Sequence, residues 1–238
     1  MNKKFSKKAD DQIEIIRNAY NRTVDNYNNG IEDENQLPDE FKNSEKYKHF
    51  KQTLKSLESG STVSKIKKFL DPQKGKKLLD IGSGISFITN RLHQWPSVYY
   101  GIDISPKLIQ VSQNIVDQNN IKIGGLFVAE AAKLPFENDF FDICRVVGVL
   151  EYYDIQYIIK VFSEIYRVLK PNSRMFVDTL NFNHPDCETM IEFEGFLGRT
   201  RKNVPGAREF EKELVKLFSI EEVDETFLMR GYFVKVMK

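Results

Sequence analysis

The chain has 238 residues, of which 41% are hydrophobic, so it is long enough to bury one sizeable core. Its 35 Lys and Arg against 34 Asp and Glu leave a net charge of +1, which argues against a nucleic-acid partner and an anionic membrane surface. Two cysteines are too few for a disulfide framework, and three scattered histidines give little support to a metal site, so none is expected.

Residues 1–72 are predicted to form a helical extension or cap, because they lack strand patterns and are rich in Asn, Lys, Asp and Glu. Apolar residues at helical spacing in DQIEIIRNAYNRTVDNYN indicate an amphipathic helix over residues 11–28. A loop with Gly and Pro follows. Two further helical patterns run over about residues 44–57 and 61–70.

Residues 73–238 are predicted to form an α/β domain that makes a single compact unit with the cap. Five apolar runs are predicted strands: KLLDI, SVYYGIDI, IKIGGLFVAE, FFDICRVVGVL and SRMFVDTL. Helices are predicted at about residues 85–94, after an N-cap at Ser105, and over IQYIIKVFSEIYRVLK up to Pro171. Such alternation predicts parallel pairing with right-handed crossovers, and therefore a doubly wound sheet.

Residues 181–207 are predicted to be a long irregular segment, since Gly and Pro recur there. A helix over REFEKELVKLFS and two strands, IEEVDETFL and GYFVKVMK, follow. The close spacing of these strands around MRG predicts an antiparallel hairpin. The predicted fold is thus a doubly wound, mostly parallel seven-stranded sheet with a terminal antiparallel hairpin and an N-terminal helical cap.

Membrane and export signals are not evident in the sequence. No apolar stretch approaches the roughly 20 residues of a membrane span, and the basic N-terminus lacks the apolar core of a secretion signal. The expected location is therefore the cytoplasm, with no membrane span.

The turn DIGSG after the first predicted strand indicates a nucleotide cofactor. The dinucleotide fingerprint is broken, because Phe87 stands where its third glycine would be and Asp80 would repel a pyrophosphate. A phosphate-free, positively charged cofactor such as S-adenosylmethionine fits better. Asp80 and the backbone around Gly82 and Gly84 would hold its amino-acid end by charge-assisted hydrogen bonds.

Two further acids end the second and third predicted strands. Asp103, about 20 residues after the glycines, suits a ribose diol, because a carboxylate accepts from both hydroxyls. Both NAD and S-adenosylmethionine contain ribose, so Asp103 alone does not separate them. Glu130 is placed to accept from an adenine amino group.

Four segments, LLDIGSGISFIT, YYGIDISPKLIQVSQN, AEAAKLPFENDFFDIC and IYRVLKPNSRMFV, occur in that order at normal spacings. Together they resemble the class I seven-stranded S-adenosylmethionine-dependent methyltransferases, in particular the type-11 methyltransferase domain. The resemblance covers about residues 76–180, and the last strands fit the terminal hairpin of that family. Each segment alone is unspecific, whereas the ordered set is a strong signal.

The resemblance assigns cofactor contacts to the amino-acid end, the ribose and the adenine in turn. These are Asp80, Gly82, Ser83 and Gly84; then Asp103 and Ile104; then Glu130 and Ala131; with Val147 contacting through its backbone. Tyr20 and Tyr27 lie on a helix similar to the Tyr-bearing front helix of the family, and are either cofactor contacts or core packing. Ser86 replaces the third glycine of the family pattern, Glu130 replaces an Asp, and LKPNS replaces LKPGG.

Methyl transfer from a sulfonium requires alignment and exclusion of water, and a base only if the acceptor arrives protonated. The segments after strands four and five would form the acceptor site, with Tyr152, Tyr153 and Phe182 as contacts and Glu151 or His184 as the base. The resemblance therefore implies S-adenosylmethionine as donor, S-adenosylhomocysteine as product and no metal.

A small-molecule acceptor is favoured, because the proline-pair turn of amine-methylating nucleobase and glutamine enzymes is missing and the net charge is near neutral. The aromatic loop and the cap indicate an enclosed, partly apolar pocket. The alternatives are a methyltransferase that acts on RNA or protein and a non-catalytic S-adenosylmethionine-binding module. The sequence sets neither the acceptor atom nor the oligomeric state.

Overall fold

The strands predicted from the apolar runs form one seven-stranded sheet. The computed structural model describes residues 3–57 and 61–238 of the chain. The strands are β1 (Lys77–Ile81), β2 (Val98–Asp103), β3 (Gly125–Val128), β4 (Phe141–Val146), β5 (Leu169–Leu180), β6 (Phe218–Asp224) and β7 (Met229–Val236). Their order in the sheet is β3-β2-β1-β4-β5-β7-β6. The predicted fold class is therefore confirmed.

The helices lie on both faces of this sheet and in the N-terminal extension. They are α1 (Lys3–Asn28), α2 (Asp39–Asn43), α3 (Glu45–Leu57), α4 (Ser61–Leu70), α5 (Ser86–Thr89), α6 (Pro106–Gln118), α7 (Ile155–Val168), α8 (Cys187–Phe196) and α9 (Ala207–Leu214). Ser105 caps α6 as predicted, because its Oγ accepts a hydrogen bond from the Leu108 N–H, and Pro106 opens the helix.

The strand pairing places the switch point of the sheet beside β1. This strand pairs in parallel with β2 on one side and with β4 on the other. The strands before and after this point are therefore added on opposite sides of β1. The carboxyl ends of β1, β2 and β4 consequently meet at one edge, where open α/β sheets bind ligands. Strand β7 runs antiparallel between β5 and β6, which forms the predicted terminal hairpin.

The N-terminal extension shares its apolar contacts with the sheet domain. Ile13 and Ile16 of α1 belong to the same buried cluster as Leu79 and Val146 of the sheet. Phe50 of α3 lies in a second shared cluster, with residues of β5 and α8. These contacts support the proposal that extension and domain fold as one unit, with the boundary near residue 72. Residues 1, 2 and 58–60 of that extension lie outside the described residues.

Three predicted boundaries were wrong for local reasons. The helix expected over residues 85–94 is only one turn long, because Arg91 adopts φ +53° and a 3-10 turn follows over Leu92–Gln94. Helix α7 ends at Val168, before Pro171, and β5 begins directly after it. Strand β3 covers only Gly125–Val128 of the apolar run that predicted it.

The segment predicted to be irregular, residues 181–207, contains a helix. Helix α8 (Cys187–Phe196) buries Cys187 and Met190 against Phe50 and Leu180. Tertiary packing therefore stabilises this helix. The Gly and Pro residues around it favoured the prediction of an irregular segment.

Two absences apply to the described part of the chain. No helix within residues 3–57 and 61–238 is both long enough and apolar enough to cross a membrane. Across the same residues, no group of three or more His, Cys, Asp and Glu side chains is arranged to hold a metal ion.

Candidate cofactor and acceptor site

A cavity of about 250 Å³ opens at the carboxyl ends of β1, β2 and β4, where the switch point predicts a ligand. We name it the glycine-turn cavity. Nine of the predicted site residues line it: Tyr20, Gly82, Gly84, Asp103, Ile104, Ala131, Val147, Tyr152 and Tyr153. The structure therefore brings together residues from α1 and from segments at the ends of four strands, although these are up to 133 positions apart in the chain.

The glycine turn is held tightly against β2. The N–H groups of Gly82 and Ser83 both donate to the Ile102 carbonyl, at 2.9 Å each. Gly82 has φ +72° and Gly84 has φ +43°, in the left-handed region that side chains disfavour. A Cβ added at Gly82 would also overlap the Val149 side chain on the opposite wall. The turn thus requires glycine for its own geometry and for the width of the cavity.

We expect Gly82→Ala to lower the stability of the protein more than Gly30→Ala does. Both glycines have φ +72°, but nothing lies within 4 Å of a Cβ at Gly30. Each variant bears the backbone strain of roughly 1 kcal/mol, and only Gly82→Ala adds the clash with Val149. Urea denaturation of both variants measures the difference, and equal losses would show that Val149 moves aside freely.

Asp103 combines burial with two fixed backbone contacts. Its Oδ1 accepts from the Ser105 N–H at 2.8 Å and its Oδ2 accepts from the Gly84 N–H at 3.0 Å. A carboxylate has about four acceptor positions, so lone pairs remain for a ligand in the cavity. Burial raises the pKa of Asp103 to about 6, although its backbone hydrogen bonds act in the opposite direction. The group therefore changes charge in a mildly acidic range.

Asp80 lies beneath the turn and does not line the glycine-turn cavity. It is 0% exposed, and Arg145 Nη1 donates to its Oδ1 at 2.7 Å while the Tyr99 hydroxyl donates to its Oδ2 at 2.8 Å. Phe87, which replaces the dinucleotide glycine, stacks on the Tyr99 ring at 5.3 Å. In this structure the Asp80 carboxylate is held by protein groups under the loop, away from the position predicted for the amino-acid end of a cofactor.

Helix α1 covers the cavity and is fastened to its rim. The Tyr20 hydroxyl lies 3.0 Å from the Tyr152 hydroxyl, which donates to Glu194 at 3.0 Å. Arg17 Nε donates to the Ile104 carbonyl at 3.1 Å, and the Ser105 hydroxyl donates to Asn21 at 2.7 Å. Side chains from one face of α1 thus close the cavity above β2 and β4.

Two buried acids flank Gly148, which lines the cavity directly after β4. Asp178 Oδ1 accepts from the Gly148 N–H at 2.9 Å, and a Cβ at Gly148 would lie 3.7 Å from Glu151 Oε1. Within the described residues Glu151 Oε2 has no hydrogen-bond partner. Burial raises the pKa of both carboxyls, and the negative charge of Asp178 raises the pKa of Glu151 further. The arrangement can take up a proton near neutral pH.

A sequence model of the methyltransferase domain family, type 11, matches residues 79–177. This span contains the glycine turn, Asp103 and the Val147–Gly148 corner of the cavity. Residues 79–177 carry a methyltransferase domain of this family. The family predicted from the four ordered segments is thereby confirmed.

The relatives of this methyltransferase domain include quinone-pathway enzymes. The ubiquinone biosynthesis O-methyltransferase of Coxiella burnetii is 29% identical over 120 residues, which is 49% of this chain and 50% of that protein. The demethylmenaquinone methyltransferase of Tropheryma whipplei is 30% identical over 119 residues, or 50% of this chain and 46% of that protein. The chain spans about half the length of the curated relatives it matches.

A solved structure shows the same fold as this methyltransferase domain. The geranyl diphosphate C-methyltransferase of Streptomyces coelicolor, in complex with Mg²⁺, geranyl diphosphate and S-adenosyl-L-homocysteine, superposes with a TM-score of 0.60 at 14% identity. The match covers 74% of this chain and 80% of that chain.

Several predicted site residues of the methyltransferase domain lie elsewhere. Tyr27 is 79% exposed and Phe182 is 50% exposed, and neither lines the glycine-turn cavity. Ser83 is buried under the turn, while Glu130 lies between two residues that do line the cavity, Ala129 and Ala131. None of these four residues lines the glycine-turn cavity, so their contacts with a ligand remain predictions.

His184 also lies outside the glycine-turn cavity. Its Nδ1 accepts a hydrogen bond from the Asp186 N–H at 3.2 Å, beside the contact of Asp186 with His49 of α3. His184 therefore lies in the loop before α8. Of the two predicted bases, Glu151 is the one that lies near the cavity.

Sequence reasoning missed three residues of the methyltransferase domain that shape this region: Arg145, Gly148 and Asp178. The signal for two of them was present, since Arg145 and Asp178 interrupt otherwise apolar strands. A charge within a buried strand is energetically costly unless it is paired. A charged residue at such a position therefore indicates a specific partner or a functional site.

Proposed function

We propose that this chain transfers a methyl group from S-adenosylmethionine to an oxygen atom of a small-molecule acceptor. The observation that carries the proposal is the buried Glu151–Asp178 pair at Gly148, on the edge of a cavity built from the family's cofactor positions. Relatives named for ubiquinone and menaquinone pathways support an acceptor of small size. An oxygen acceptor arrives protonated as a hydroxyl, so the acid pair would accept its proton.

The cavity residues fit S-adenosylmethionine, which supplies a methyl group on a sulfonium when bound. Asp103 keeps free lone pairs for the two ribose hydroxyls, and the side chains of Ile104 and Leu108 offer apolar contacts to the adenine. The left-handed glycines bring backbone close to the ligand without a Cβ. Asp80 would act indirectly, by fixing the strand beneath the turn.

The protein groups align the acceptor and manage its proton. Bound S-adenosylmethionine would supply the methyl group to the acceptor oxygen, and the Glu151–Asp178 pair would take up the proton that the acceptor hydroxyl releases. Tyr20, Tyr152 and Tyr153 close the cavity against water, which keeps the reacting atoms aligned.

Binding and transfer measured together test the proposal. We expect calorimetry to show binding of S-adenosylhomocysteine and not of NAD, and labelled donor to pass its methyl group to a component of a metabolite extract. NAD binding without S-adenosylhomocysteine binding would overturn the cofactor. Labelling of RNA, with salt-sensitive RNA affinity, or binding without any transfer would replace the small acceptor with one of the alternative functions.

We expect Asp103→Asn to weaken S-adenosylhomocysteine binding about 10- to 100-fold, the equivalent of about 1.5–3 kcal/mol for hydrogen bonds to a charged group. In the unmodified protein the affinity should rise as pH increases through about 6, because the ionised carboxylate is the better acceptor. The exposed Asp117→Asn on α6 is the matched control. Equal affinities for the two variants, both folded by circular dichroism, would remove Asp103 from the ribose site.

A further inference from the structure

A second cavity, of about 210 Å³, shares Val147 as a wall with the glycine-turn cavity. It lies between the first turns of α4 and strands β4, β5 and β7, and we name it the Arg145 cavity. Its wall is largely apolar, with Ile66, Phe176 and Phe233 among its residues. An apolar cavity of roughly 150 Å³ holds a benzene molecule, so this one has room for a ring with substituents.

Arg145 presents an unused edge in this cavity. The side chain is 4% exposed, and its Nη1 donates to Asp80. To the residues that the structure describes, Nε and Nη2 make no hydrogen bond. These two groups form one parallel edge of the guanidinium, which matches the two oxygens of a carboxylate. A nearly buried arginine that lines a cavity with one edge free is suited to bind an anionic ligand there.

Two other polar side chains line the same cavity. The Asp178 side chain lines the cavity, and its Oδ1 accepts from the Gly148 N–H. Thr62 Oγ1 is buried and has no hydrogen-bond partner within the described ranges. Buried polar atoms are ordinarily satisfied, so the unpartnered Thr62 hydroxyl, together with the Arg145 edge and the Asp178 carboxyl on the cavity wall, indicates a ligand with polar groups at matching positions.

We propose that the Arg145 cavity holds the methyl acceptor, and that the acceptor is a small ring compound bearing a carboxylate. The inference rests on the proposed function and adds the chemical class of the acceptor. The carboxylate pairs with the Nε and Nη2 edge of Arg145, and the ring lies against Phe176 and Phe233. A ring hydroxyl faces Asp178, whose other oxygen is held by Gly148 at the boundary with the glycine-turn cavity.

A matched pair of probes tests the carboxylate. We expect 3,4-dihydroxybenzoate to bind the protein by calorimetry, without any methyl donor present, at least tenfold more tightly than 3,4-dihydroxybenzamide. Arg145→Lys keeps a positive charge beside Asp80 but lacks the parallel edge, so it should abolish that preference. Equal binding of the two probes to the unmodified protein, or no binding of either, would overturn the proposal.

A second variant tests the location. Val63→Phe fills the Arg145 cavity from α4, and Val215→Phe, at an exposed position after α9, is its control. We expect only Val63→Phe to weaken dihydroxybenzoate binding and its methylation, at least tenfold, with S-adenosylhomocysteine affinity unchanged. A loss of S-adenosylhomocysteine affinity would assign the cavity to the donor, and unchanged probe binding would place the acceptor elsewhere. Either result overturns the inference while methyl transfer to other acceptors still supports the proposed function.

Discussion

Arg145→Met should lower the free energy of unfolding by about 3–5 kcal/mol, because it leaves the Asp80 carboxylate buried without its cation. Asp80 is 0% exposed, and of its two side-chain partners among the described residues the Tyr99 hydroxyl would remain. Burial lowers the pKa of the Arg145 guanidinium, but the nearby Asp80 side chain outweighs this effect and raises it, so the guanidinium stays charged in the folded protein. Urea denaturation with linear extrapolation measures the loss.

The matched variants separate the buried charge from other effects of the substitution. Asp80→Asn combined with Arg145→Met removes both charges, and we expect it to recover more than half of the stability that Arg145→Met loses. Arg208→Met, at an exposed arginine of α9, should change stability by no more than about 0.5 kcal/mol. A double variant as unstable as Arg145→Met would show that packing of the long side chain, and not ion pairing, is the main contribution.

The fold class was predictable because the hydrophobic period and the lengths of the apolar runs indicate it. Strands β2, β4 and β5 are apolar runs that alternate with the amphipathic helices α6 and α7, which favours parallel pairing. The hairpin of β6 and β7 was predictable for a different reason, since two strands five residues apart have room only for an antiparallel turn.

The boundary between α7 and β5 was not predictable from local signals. Pro171 was expected to end the helix, yet it lies in the strand, where the pairing with β4 shifts between Phe141 and Ile143. An irregular stretch of strand tolerates a residue without an N–H, and Asn172 takes φ +62° there. The start of β5 is set by its pairing with β4, and that pairing involves residues distant in the sequence.

The candidate site divides in the same way. The residues that follow the ends of strands, such as Gly82 and Asp103, could be predicted because the topology brings strand ends together. The partners of Asp80 could not, since Arg145 and Tyr99 are 65 and 19 positions away and meet it only through strand register. The position of the glycine turn was therefore predictable from the sequence. The pairing of Asp80 with Arg145 and Tyr99 beneath the turn was not.

Glu151→Gln should reduce the rate of methyl transfer about 10²- to 10⁴-fold, the usual contribution of a general base. In the unmodified enzyme we expect the rate to rise with pH well above the ordinary carboxyl value of 4.5, because burial and the Asp178 charge raise the pKa of Glu151. The Gln variant should lose this dependence. Glu137→Gln, at an exposed position, is the matched control, and the readout is labelled product over a range of pH.

The same substitution has a stability effect of opposite direction, which separates a catalytic from a structural role. The folded protein keeps the Glu151 and Asp178 protons at pH values where the unfolded chain has released them, so stability falls as pH rises above the ordinary carboxyl range. Gln resembles the protonated acid and cannot ionise. We therefore expect Glu151→Gln to be more stable than the unmodified protein at pH 8, by about 1 kcal/mol or more, and to match it near pH 4. A variant that is both slower and less stable at pH 8 would indicate that the carboxylate supports the fold, and that its effect on rate follows from disorder in the cavity.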